Sequence, residues 1–176
     1  MLDQFFKLKG CGCGHNFPSP APVIHPTQVF APAYRNFWQN TFVTIPNGQD
    51  IPFNNQSVAE AGGIVLLPPA TIFIPLAGDY EISYVITSVV FGTATTNQEQ
   101  QVTAILNGNP VPGFQTSFGT RTSNSESCDQ FSGTAILRIP AKSTFSLRNT
   151  SLFGNSISLC NLVESGAALI IKKLSL

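Results

Sequence analysis

Tyr80-Glu81-Ile82-Ser83-Tyr84-Val85-Ile86-Thr87-Ser88-Val89-Val90-Phe91 is the stretch that decides the fold. Its even positions Tyr80, Ile82, Tyr84 and Ile86 are apolar or aromatic, and Glu81, Ser83 and Thr87 alternate with them. Residues two apart share one face of a strand, so the period predicts a long strand with one face in a core. Segments of the same kind recur on either side. Upstream are Phe37–Ile45, closed by Pro46-Asn47-Gly48, and Thr71–Ile74, closed by Pro75. Between them runs a stretch with Asn54-Asn55 and Gly62-Gly63, read as loops. Downstream, Gln101–Leu106 leads into Asn107-Gly108-Asn109, a strong turn signal because Asn and Gly both accept positive φ. After a polar loop from Thr120 to Ser127 come strand-like runs at Phe131–Ile139, Phe145–Arg148, Ile157–Leu159 and Gly166–Leu174. About eight to ten strands with regular turn signals predict an all-β jelly roll or sandwich, with little or no helix.

Composition narrows the function classes. The 176 residues suit one domain. Nine basic and nine acidic residues give a net charge of +0, so nothing pulls the chain towards nucleic acid or anionic lipid. Charged residues are 10% of the chain, against roughly 25% in an ordinary soluble domain. A weakly charged surface opposes self-contact only feebly, which favours assembly. The most apolar run, Ile64–Leu76, is too short to span a bilayer and is broken by Pro68, Pro69 and Pro75. Met1-Leu2-Asp3-Gln4 lacks the basic-then-apolar pattern of a secretory signal, so manufacture in a cytosol is expected.

Residues 1–36 read as an extended arm and residues 37–176 as the domain. The arm holds Phe5-Phe6, Cys11-Gly12-Cys13-Gly14-His15, and then Pro18, Pro20, Pro22, Pro26 and Pro32. Repeated proline removes ladder donors and favours polyproline-like chain. Such a segment buries little of itself and is expected to rest on another surface, with a neighbouring copy preferred over its own domain.

Three blocks carry a family resemblance: Phe73-Ile74-Pro75-Leu76-Ala77-Gly78-Asp79-Tyr80-Glu81-Ile82-Ser83-Tyr84, then Leu106-Asn107-Gly108-Asn109-Pro110-Val111-Pro112-Gly113, then Ser165–Leu174. In this order they resemble the C1q/TNF-like jelly rolls of Bacillus-type spore surfaces. That group includes the C-terminal domain of the collagen-like exosporium glycoprotein BclA and the basal-layer proteins it attaches to. The likeness covers about residues 37–176. It implies a homotrimer with the first and last strands near the three-fold axis, and structural work in place of catalysis. The arm departs from it: no Gly-X-Y repeat is present. A Phe, Cys and Pro arm before such a head resembles an endospore appendage fibre subunit or its anchor, with an exosporium basal-layer protein as a further option. The implied partners are other copies of the chain, stacked into a fibre, and other spore-surface or collagen-like proteins, with no nucleic acid and no membrane. The implied location is the spore surface, reached from the mother-cell cytosol.

Candidate sites follow. Phe5 and Phe6 are the expected inter-subunit anchors, with folding back on their own domain as the alternative. Cys11, Cys13 and His15 point the same way in an extended chain. They offer inter-chain disulfides, a zinc-type ligand set or simply free thiols. We take cross-links through Cys11 and Cys13 as the expectation and assign no metal. Cys128 and Cys160 either bridge within the domain or act as small buried hydrophobes, since nothing in the sequence fixes their separation. Phe37, Trp38 and Phe42 read as core or interface. Asn55-Gln56-Ser57 and Asn149-Thr150-Ser151 match the glycosylation pattern, a match common by chance.

An enzyme is not expected, and no cofactor is implied. Both histidines, His15 and His25, lie in the arm, so the domain holds no Ser-His-Asp set. The carboxylates Asp79, Glu81, Glu99, Glu126 and Asp129 are scattered. The rival to a structural role is a trimeric recognition head binding a receptor or carbohydrate through loops around Thr120–Asp129. A concave, aromatic-lined pocket there would favour it.

Overall fold

The computed structural model describes residues 29–89, 98–122, 128–152, 155–160 and 165–175. The alternating segments become strands: β1 (Tyr34–Gln39), β2 (Thr44–Ile45), β3 (Asn55–Gln56), β4 (Val65–Leu67), β5 (Thr71–Ile74), β6 (Gly78–Val89) and β7 (Gln98–Leu106). Then follow β8 (Asn109–Pro110), β9 (Phe118–Thr122), β10 (Cys128–Ile139), β11 (Ser143–Asn149), β12 (Ile157–Leu159) and β13 (Ala167–Lys173). A 3-10 turn lies at Pro112–Phe114.

The strands form two antiparallel sheets in a jelly-roll sandwich. One runs β2-β12-β6-β13-β1-β3, with β10 on the other side of β6. The other runs β4-β5-β11-β7-β8, with β9 beside β8 along the same edge of β7. Strand β6 is the spine of the first sheet. It pairs with β10 along its whole length and, on its other edge, with β13 and then β12.

Alternation places the core as expected. Tyr80, Ile82, Tyr84 and Ile86 point inward from β6 and are buried, facing Phe145 and Leu147 of β11 and Val102 and Ala104 of β7. Two phenols sit inside this layer and each finds an acceptor, as a buried hydroxyl must. The Tyr80 hydroxyl donates to the Leu76 carbonyl at 2.8 Å, and that of Tyr84 to the Val102 and Thr116 carbonyls at 3.2 and 3.1 Å. Burial pushes both phenols above the usual range, so they stay neutral donors. The Asn-Gly turn closes the β7–β8 hairpin, with positive φ at both Asn107 (51°) and Gly108 (81°). That pair of conformations matches the right-handed twist of the strands it joins.

Several boundaries differ from the sequence reading. Phe37–Ile45 is two strands, because the chain changes partner: β1 pairs with β13, and β2 pairs with β12. Asn40 and Asn54 clamp the break, with Asn54 Nδ2 donating to Asn40 Oδ1 at 2.8 Å. Strand β1 starts at Tyr34, where Arg35 reaches across to the carbonyls of Ser57 and Ile64 and pairs with Glu60 at 2.5 Å. The stretch read as loops holds β3 and β4, and Thr120–Thr122 belong to β9.

Candidate functional site

The outward face of the seven-stranded sheet is set by register. One row across it reads Trp38, Ala168, Val85, Ser132. The next reads Asn36, Ile170, Ser83, Thr134, and the Ser83 and Thr134 hydroxyls bond at 3.0 Å. The third reads Tyr34, Lys172, Glu81, Ile136, and the Asp79–Arg138 pair stands beyond it. The charges on these rows are two acids and two bases, all at one end. The other half is uncharged, with small residues between apolar ones. Ile136 is 63% exposed, Ile170 46% and Tyr34 42%. Scattered apolar residues are ordinary on a surface; a broad, flat, nearly uncharged sheet face carrying them is what an interface needs.

At its charged end, Arg138 and Ser175 both donate to the Asp79 carboxylate, the Ser175 hydroxyl at 2.6 Å. The Arg138 hydrogen bond, followed by that of Ser175, holds the Asp79 carboxyl below its usual range. Asp79 in turn raises Arg138.

At the other end of β6, Cys128 and Cys160 form a disulfide with Cα atoms 6.0 Å apart. Cys128 lies opposite Val89, and the Cys160 amide donates to the Thr87 carbonyl at 2.9 Å. The bridge therefore ties β10 to the chain after β12, across the end of the spine strand. Phe5, Phe6, Cys11, Cys13 and His15 lie outside the described residues, as do His25 and Glu126. Of the aromatics at the start of the domain, Phe37 is core, Trp38 is half-buried on the outward face and Phe42 is exposed.

Two further ion pairs lie elsewhere in the domain. Asp50 pairs with Arg148 at 2.6 Å, and Glu60 with Arg35. No group of three His, Cys, Asp or Glu side chains gathers as a metal site among the described residues. Asn149 is fully buried and its Nδ2 donates to the carbonyls of Ile45 and Asn155, so that glycosylation match is a structural amide. The sequence reading missed this role, as it missed Arg35 and Asp79; each acts through a partner far along the chain. No helix of the described residues is long and apolar enough to cross a membrane.

The fold matches solved structures at low identity. Murine APRIL superposes with a TM-score of 0.57 at 12% identity, covering 81% of this chain and 99% of that one. The Eiger TNF of S. frugiperda gives 0.55 at 14% identity, covering 84% and 94%. The globular domain of the zebrafish complement 1qA protein gives 0.51 at 12%, covering 82% and 97%. At such identities the likeness speaks for the C1q/TNF-like jelly roll alone. No curated protein matches the sequence. The model of one family, the BclA C-terminal domain, matches residues 33–175, which takes in every strand described above. A sandwich of this topology matched over nearly its whole length makes the chain a member of the BclA C-terminal domain family.

Proposed function

We propose that the protein is a non-catalytic structural subunit of a spore surface, trimerising through its jelly roll and joining further copies through its N-terminal arm. The observation that carries this reading is the outward face of the seven-stranded sheet. Half of it is free of charge, and small side chains such as Ala168, Ser83 and Ser132 let a second surface approach closely. Burying apolar area is worth about 25 cal/mol per Å2, and here few ions need desolvation. The family's name protein is an exosporium protein, which agrees with a surface location.

A closed trimer is an endpoint, whereas an arm that docks on another trimer makes an open-ended contact and yields a fibre. Phe5 and Phe6 are the anchors in this reading, and thiols at Cys11 and Cys13 would lock neighbouring arms. Fibre subunit, anchor and basal-layer protein share this logic and differ in what the arm meets.

Negative-stain microscopy of the full chain beside a chain lacking residues 1–20 tests the arm. The full chain is expected to give filaments and the shortened one discrete particles. Filaments of normal length from the shortened chain would remove the arm from the mechanism. Non-reducing mass analysis is expected to show chains joined at Cys11 or Cys13; free thiols there would remove the cross-link.

A further inference from the structure

The outward face of the six-stranded sheet differs in character from the face assigned to assembly. Glu99, Gln101 and Thr103 follow one another along the outward side of β7. A cavity of about 410 Å3 opens over Gln101 and Thr103, with Ser117 and Thr150 at its polar side. Its other wall is the apolar turn Pro110–Gly113. A second cavity, of about 430 Å3, shares Gln101 and continues past Gly119 to Thr120, Arg121 and Glu99. Gly119 lies opposite Gln101 and offers no side chain to divide them.

The polar groups of this groove are arranged but not used up. Thr103 Oγ1 bonds the Ser117 hydroxyl at 2.8 Å and the Thr150 hydroxyl at 2.7 Å, which fixes all three. Gln101 Oε1 accepts weakly from Thr150 at 3.4 Å, and no described residue accepts from Gln101 Nε2. Glu99 and Arg121 stand directly opposite on β7 and β9. They form no ion pair, and neither side chain has a hydrogen-bond partner among the described residues. Two opposite charges, an amide and the hydroxyls of Ser117 and Thr150, held from beneath by the buried Thr103, therefore line the two cavities in succession.

We infer that this groove binds a neutral oligosaccharide laid along β7. The chemistry selects that class. The single cation faces a carboxylate, so a phosphate or a nucleic acid gains no net attraction. The floor strand has both edges covered at Gln101: β9 lies along one, with Gly119 opposite, while on the other Thr150 N donates to the Gln101 carbonyl at 2.9 Å and Ser151 Oγ accepts from its amide at 3.0 Å. A peptide therefore finds no free strand edge to extend. What the groove offers is donors and acceptors in alternation and one apolar wall, which suits a ligand of hydroxyls and C–H faces. The inference rests on the domain alone, on the face of the sandwich opposite the one proposed for assembly.

The test is binding of the full chain to a panel of neutral tetrasaccharides built from glucose, mannose, galactose or N-acetylglucosamine. At least one is expected to bind, with affinity unchanged between about 20 and about 500 mM salt. Gln101→Ala and Arg121→Ala are each expected to weaken it about tenfold with the thermal midpoint unchanged, while Val58→Ala, on a fully exposed site elsewhere, leaves it alone. Absence of binding by every probe up to about 10 mM would overturn the inference, as would binding indifferent to both groove substitutions or abolished by salt.

Discussion

Replacing both Cys128 and Cys160 by alanine isolates what the bridge contributes. The two residues are 32 positions apart in sequence. Cross-linking a loop of that length withholds about 12 cal/mol/K from the unfolded chain, or about 3.7 kcal/mol at 25 °C. Alanine is preferred to serine because Cys160 is 2% exposed, and a buried hydroxyl without a partner would add its own penalty. The bridge also lies at the end of β6, so its loss should loosen the pairing of Val89 with Cys128 before it reaches Tyr80. Equilibrium denaturation of the double variant is expected to show a loss of about 2–4 kcal/mol. On a domain of this size that corresponds to a fall of roughly 10 °C in the midpoint. The native chain treated with reductant should behave likewise. A loss below about 1 kcal/mol, or free thiols at both positions in protein taken from its natural surface, would refute the reasoning.

Other expectations can be checked separately. Ile170→Asp puts a charge on a half-exposed site of the face proposed for assembly; the monomer should keep its circular dichroism, and the solution mass should drop to that of one chain. Gly133→Ala should destabilise the domain by about 1–3 kcal/mol in urea, because the new methyl would sit 2.7 Å from Tyr84 Cζ and crowd Phe118. The Asp79 carboxyl is held below its ordinary value, first by Arg138 and then by Ser175. Its stabilising effect is therefore complete above the unfolded carboxylate pKa and disappears as pH falls through the lowered folded value. Asp79→Asn should lower stability at neutrality, flatten the acid limb of the stability–pH curve below about pH 4 and leave the curves close together at the acid end.

Local patterns were legible where local physics decides them. The alternation of Tyr80–Ile86 announced both the strand and its buried face, and Asn107-Gly108 announced the hairpin, since each signal is complete within a few residues. The break after Gln39 was not legible, because the residues stay strand-like while the partner changes from β13 to β12. Arg35 looked like the end of the arm; only its reach to Glu60 and Ile64 marks it as part of the sandwich. The Cys128–Cys160 bridge needed the register of β10 against Val89 and the seating of Cys160, just past β12, on the Thr87 carbonyl. The groove over Gln101 needed still more, because Glu99 and Arg121 meet only when β7 and β9 are paired. The face proposed for assembly was half visible: low charge favoured association, but which side chains share the face is a fact of strand order.

The central claim is that copies of this domain associate through the sheet of β6, β13 and β1. Light scattering on the chain lacking residues 1–20 measures it most directly, because fibres are then removed and only the domain contact remains. The account predicts a mass three times that of one chain, persisting at low micromolar concentration. A single-chain mass under those conditions would contradict it.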